Sequence, residues 1–131
     1  MPHAAGTGID GLIGVYRANG GAVGELRYVI GKFLGTAHCA LCDVTHSPVR
    51  RKPAWDAMAA RLGHPFTLLH LNELTPDIAA AVDAHGSPVV LARSGDGRLD
   101  CLLGPADLDS LNGSVSGFED AVRKALALLP G

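Results

Sequence analysis

This 131-residue chain has no large excess of either charge: eleven Lys and Arg stand against thirteen Asp and Glu, a net charge of −2. Proteins that grip nucleic acid by neutralising phosphates need a basic excess, so no nucleic-acid partner is expected. Aromatics are scarce too, with three Phe, two Tyr and one Trp, and the core must close mainly on aliphatic and small side chains. No apolar run approaches the roughly 20 residues of a membrane-crossing helix, and no membrane partner is expected. The start Met1-Pro2-His3-Ala4-Ala5-Gly6 has neither a basic nor an apolar stretch, which leads to the expectation of a cytoplasmic protein. Cysteine is limited to three, an odd number in a chain large enough to fold without disulfide staples.

What is present is a core. With 47% hydrophobic and 18% charged residues, the chain fits one compact domain spanning residues 1–131, and disorder is excluded. Residues 1–8 read as a loose tail. Leu12-Ile13-Gly14-Val15-Tyr16 is a short apolar strand closed by an Asn19-Gly20-Gly21 turn, where a small anion or ligand is a weaker candidate than a plain glycine turn. Val23, Leu26, Ile30, Phe33 and Leu34 recur at helical spacing, and Gly35 stops that helix. A polar, irregular loop follows over residues 35–52. Pro53 opens a second helix with Trp55, Met58, Ala59 and Leu62 inward and Gly63 at its end.

Phe66 to Leu71 is nearly continuous apolar sequence, expected as a strand covered on both faces. Thr75-Pro76-Asp77 starts a third helix, with Ile78, Ala81, Val82 and His85 inward and Gly86 as its stop. Pro88 to Ala92 is a strand, joined by Ser94-Gly95-Asp96-Gly97 to another from Arg98 to Leu103. There Leu99, Cys101 and Leu103 fall on one face, making Cys101 a buried structural thiol. Ser116-x-x-Glu119 has capping-box spacing for a last helix with Phe118, Val122, Leu126 and Leu129 inward. Strands linked through helices are expected to be parallel. The expectation is an α/β fold: a mixed sheet of about four strands, three parallel plus a C-terminal antiparallel hairpin strand, with helices on both faces.

From Phe66 to Leu129 the chain resembles the thioredoxin-like superfamily. A strand, a helix, a strand headed by Ser87-Pro88, a hairpin and a C-terminal helix follow one another in that family's order. The family places a cis-proline beside its C-x-x-C pair. Pro88 is the matching position, and Cys42 precedes it by 46 residues. The resemblance implies a single thioredoxin-like domain. The front half departs from the pattern, since Cys39 comes 23 residues after Tyr16 instead of directly after the strand. Tyr16-x-Ala18-x-x-Gly21 and Cys39-x-Leu41-Cys42-x-x-Thr45-His46 also resemble a group of small bacterial proteins, a likeness that carries no mechanism.

His38-Cys39-Ala40-Leu41-Cys42-Asp43-Val44-Thr45-His46 carries the chemistry. Two thiols and two imidazoles lie within nine residues, beside the carboxylate of Asp43. In a redox reading, Cys39 attacks a disulfide and Cys42 resolves the mixed disulfide. His38 or His46 favours the thiolate, and Arg50, Arg51 and Lys52 add positive potential. That reading needs no cofactor and takes a protein or small-molecule thiol or disulfide as partner. In a metal reading, Cys39, Cys42 and His46 bind zinc or iron without catalysis of their own. His38 is a poor fourth ligand because it adjoins Cys39; His64, His70 or His85 is available after folding. A third reading makes both thiols small core hydrophobes. Haem attachment is disfavoured because Asp43 follows Cys42. Gly6-x-Gly8-x-x-Gly11 precedes a strand instead of joining strand to helix, so it is no dinucleotide fingerprint.

Overall fold

A computed structural model of the protein describes residues 8–17, 40–47 and 50–129; the side chains of Ala40, Cys42, Asp43, His46, Ser47, Arg50 and Arg51 fall outside that description. The tail before Gly8, the Asn19-Gly20-Gly21 turn, the helix expected from Val23 to Leu34, and His38 with Cys39 lie outside the described residues. In chain order the elements are β1 (Ile9–Val15), α1 (Ala40–Thr45), β2 (His46–Ser47), β3 (Arg50–Arg51), α2 (Pro53–Arg61), β4 (Phe66–Leu69), α3 (Pro76–His85), β5 (Val89–Ser94), β6 (Leu99–Leu103), α4 (Pro105–Asp109) and α5 (Val115–Ala127). No helix among the described residues is long and apolar enough to cross a membrane.

The sheet is mixed and four-stranded, in the order β4-β1-β5-β6. β1 runs parallel to β4, with Val15 opposite Leu69, and antiparallel to β5, with Val15 opposite Val89. β5 and β6 form the hairpin expected from Ser94-Gly95-Asp96-Gly97, closed by the Gly97 N–H donating to the Ser94 carbonyl at 2.9 Å. The reversed strand is therefore β5, not β6: β4, β1 and β6 share one direction, and β4 with β1 is the one parallel pair of neighbours in this sheet. The expectation failed because the connection from β4 to β5 does not cross back to the start of the sheet. The segment from His70 to Pro88 leaves and returns at one end of the sheet, so α3 bridges sideways past β1, across two strand spacings of about 4.8 Å. Pro88 is buried at the head of β5, and the Ser87–Pro88 peptide bond is cis.

Alternation along the inner strands divides the core in two. Leu12, Tyr16, Val90 and Ala92 pack with Leu41 and Val44 of α1, Trp55 and Met58 of α2, Leu108 of α4, and Phe118 and Val122 of α5. Ile13, Val15, Val89 and Leu91 pack with Ile78, Ala81 and Val82 of α3. The aromatics among the described residues, Tyr16, Trp55, Phe66 and Phe118, lie in the first layer. Trp55 contacts Phe66 and Phe118 with ring centroids 5.1 and 5.0 Å away, the tilted geometry that aromatic quadrupoles favour.

Several local expectations need correction. β4 stops at Leu69 and lies at the sheet edge with Thr67 exposed; the strand covered on both faces is β5. Residues 40–47 and 50–51 are not irregular: α1 is followed by a two-residue ladder of β2 on β3. Leu103 does not share a face with Leu99 and Cys101, because the register shifts between Val90 and Leu91 and turns it to the other layer. Cys101 is consequently half-buried rather than sealed. His85 is exposed. The cap of α5 is Ser114, whose hydroxyl accepts the Gly117 N–H at 3.0 Å. Ser116 lies inside the helix, and Glu119 turns to Arg61 and Arg123.

Candidate functional site

The second cysteine of the pair lies in α1, three residues before its last residue. Six residues form a helix here because Leu41, Val44 and Thr45 fall at i, i+3 and i+4 and are all fully buried against the sheet. Gly14 makes that approach possible. A β-carbon built there would stand 3.1 Å from Leu41 Cδ2 and 2.9 Å from Leu68 Cδ2, so any larger residue would force these side-chain tips to give way. The helix ends where the chain turns into β2 and β3, and the Lys52 N–H donates to the Thr45 carbonyl at 2.8 Å. Pro53, at the first position of α2, then restarts helix without losing a bond.

Thr45 is tied to the end of β1 by a polar contact. Its Oγ1 lies 3.0 Å from the Tyr16 hydroxyl in a buried hydrogen bond. Tyr16 is itself fixed: its N–H donates to the Leu69 carbonyl at 2.8 Å, and its ring lies 5.0 Å from that of His70. His70 is latched in turn, with its backbone N–H donating to Glu73 Oε1 at 2.7 Å and its Nδ1 2.8 Å from the same oxygen. These two bonds, the backbone one foremost, hold the Glu73 carboxyl below its ordinary value, so it is ionised at neutral pH.

One end of the sheet thus gathers α1, the Tyr16–Thr45 bond, the His70–Glu73 pair and, next to Val89 opposite Val15, Pro88. Such a place, outside the carboxyl ends of parallel strands, is where open α/β sheets form crevices. The side chains of Cys42, Asp43, His46, Arg50 and Arg51, and all of His38 and Cys39, lie outside the described residues. Among those described, no group of three or more His, Cys, Asp or Glu is arranged to hold a metal ion. Of the imidazoles considered as further ligands, His70 is engaged by Glu73 and His85 is exposed on α3.

Sequence reasoning missed Tyr16, Thr45 and Glu73. Tyr16 and Thr45 are 29 residues apart, and no short-range pattern joins them. The available signal was weaker: a tyrosine ending a buried strand carries a hydroxyl that needs a partner. Cys101, on the opposite layer, is a different kind of thiol. Burial first, and the negative charge of Asp107 second, push it above its ordinary value and keep it protonated.

Comparison of the chain with protein-family models, with curated proteins and with solved structures finds no match. The class established is accordingly that of the fold: an α/β domain built on one mixed four-stranded sheet with helices.

Proposed function

We propose that the chain is a thioredoxin-like domain that carries out thiol–disulfide exchange, or senses redox state, through Cys39 and Cys42. One observation supports the reading above the others. The helix that carries Cys42 is bonded through Thr45 to Tyr16, at the sheet end where Pro88 begins β5. A cysteine pair working beside that proline calls for this convergence; a metal knuckle built far from it does not.

In the exchange, the Cys39 thiolate attacks one sulfur of a partner disulfide and forms a mixed disulfide. The partner's other sulfur leaves as a thiolate and takes up a proton. Cys42, deprotonated, then attacks the Cys39 sulfur, closing the intramolecular disulfide and releasing the second partner thiol, which is protonated in turn. The partner gains two electrons and two protons, and the pair loses them. The C-x-x-C spacing suits this chemistry because one helical turn brings the two sulfurs into bonding range.

The test is a titration of the protein against a glutathione couple, followed by mass spectrometry and thiol alkylation. A reversible disulfide between Cys39 and Cys42, with Cys101 reduced throughout, is the expected result. If the two cysteines never form that bond at any ratio of the couple, the reading fails.

A further inference from the structure

We propose that Asn112 is a site of spontaneous deamidation, closing a succinimide onto Gly113, and that Lys52 restrains the reaction by holding the turn. The inference stands apart from the cysteine reading.

Asn112 and Gly113 lie in the turn between α4 and α5. Both take left-handed backbone conformations, with φ of +50° and +77°, and Asn112 is the one described residue other than glycine to do so. Asparagine tolerates that region better than most side chains. Asn112 is exposed. Neither its side-chain amide nor the Gly113 N–H makes a hydrogen bond among the described residues. The electrophile, Asn112 Cγ, and the nucleophile, the Gly113 backbone nitrogen, are thus both unengaged. Glycine also puts no β-carbon beside that nitrogen.

Hydroxide or a buffer base removes the Gly113 amide proton, and the nitrogen attacks Asn112 Cγ. The N–Cγ bond forms, the Cγ–Nδ2 bond breaks, and Nδ2 takes up a proton and leaves as ammonia. Water then opens the imide at one of its two carbonyls, giving aspartate or isoaspartate. One water is consumed, one ammonia is released, and nothing is oxidised or reduced.

The folded turn slows this chemistry. In the left-handed region, with ψ of about +47°, the following nitrogen lies roughly trans to the β-carbon, so attack requires rotation about the Asn112 Cα–C bond. Three bonds oppose that rotation. The Asn112 N–H donates to the Asp109 carbonyl at a long 3.3 Å, and the Ser114 N–H donates to the Leu111 carbonyl at 3.0 Å. Lys52 Nζ, from the cap of α2, donates to the Gly113 carbonyl at 2.9 Å. This charge-assisted bond, made across 61 residues, is the firmest of the three. Isoaspartate routes the backbone through Cβ and Cγ, which lengthens the turn by one carbon and draws the Gly113 carbonyl off Lys52.

The parent chain, Asn112→Gly and Lys52→Met are to be held in warm, mildly alkaline buffer, beside parent chain unfolded in guanidinium chloride, and then digested with trypsin. The peptide from Leu99 to Arg123 contains one asparagine and no glutamine, so its mass gain reports residue 112 alone. The folded parent should convert to a mixture of aspartate and isoaspartate, several-fold more slowly than the unfolded chain. Lys52→Met should convert several-fold faster than the folded parent at a temperature below its own unfolding transition. Asn112→Gly, which keeps the left-handed turn, should gain no mass. A folded parent left unmodified after the unfolded chain has converted would overturn the site. Equal rates in Lys52→Met and the parent would overturn the restraint. A product holding aspartate without isoaspartate would overturn the succinimide route.

Discussion

Adding one methyl group at Gly14 tests whether α1 rests on β1 as described. In Gly14→Ala the new β-carbon would stand 2.9 Å from Leu68 Cδ2, 3.1 Å from Leu41 Cδ2 and 3.2 Å from Phe66 Cε1. All three are closer than the ~3.5–4.0 Å at which carbon atoms attract. Two opposing effects set the sign. Alanine restricts the unfolded chain more than glycine does, which favours folding by about 0.4–1 kcal/mol. Overpacking a filled core typically costs about 1–3 kcal/mol. Leucine tips can rotate, whereas the Phe66 ring is held beside Trp55, so part of the strain persists. The net expectation is a loss of about 1–2 kcal/mol, or roughly 3–8 °C in melting temperature for a domain of this size. Urea unfolding at constant slope is the assay. Leu41→Ala alone should cost about 2–5 kcal/mol by leaving a cavity. The added methyl then occupies part of that space, so the double variant should be more stable than the sum of the singles by at least ~0.5 kcal/mol. A Gly14→Ala protein as stable as the parent, or strictly additive Gly14 and Leu41 effects, would refute the seating of α1 on β1.

Glu119 lies between Arg61 and Arg123, at 2.7 and 2.8 Å, and these partners lower its pKa from an ordinary 4.5 to about 2. A depressed carboxylate contributes stability that is complete above the unfolded value and lost as pH falls through the folded one. Glu119→Gln should therefore flatten the acid limb of the stability profile between about pH 4.5 and 2, read by thermal unfolding in low salt; an unchanged limb would show the network to be inert. Cys101, in a Cys39→Ser/Cys42→Ser background, should alkylate at pH 7 several-fold more slowly folded than in denaturant, because burial and Asp107 keep it protonated. Equal rates would contradict that environment. Under the redox reading, prolonged chelation should leave the melting temperature of the reduced protein unchanged. A fall restored by stoichiometric zinc would move the assignment to the metal-binding alternative.

Local punctuation made much of the fold legible. Pro53 and Gly63 bracket α2, Thr75-Pro76 and Gly86 bracket α3, and the Ser94–Gly97 turn marks the hairpin. Gly63 and Gly86 take φ of +76° and +87°, a region that glycine enters freely. Strand direction was not legible, because which strands become neighbours is decided by the whole sheet. Nor was the facing of Leu103, since a register shift between β5 and β6 leaves no local mark. Ser114 and Ser116 both offer capping hydroxyls; the spacing to Glu119 favoured Ser116, but that carboxylate is claimed by two arginines brought in by α2 and α5. For the proposed site, residue type and spacing single out the cysteines, His46 and Pro88 as candidates. It is silent on Tyr16 with Thr45, whose partnership arises only after β1 and α1 are stacked.

The strand directions explain why chemistry would collect at this end of the sheet. β1 lies between a parallel neighbour and an antiparallel one, so β4 ends and β5 begins beside its last residues. The chain leaving β4 passes to the layer of Ile13 and Val15, where α3 packs, while α1 lies on the opposite layer with Leu12 and Tyr16. The β4 connection and α1 thus lie on opposite faces of the sheet. Tyr16 stands at that divergence. Its backbone pairs with Leu69, its ring meets His70 and its hydroxyl reaches α1. One residue therefore couples the helix that carries Cys42 to the loop that carries Glu73. A substitution that breaks only the hydroxyl bond should disturb the cysteine helix and leave the His70–Glu73 pair in place.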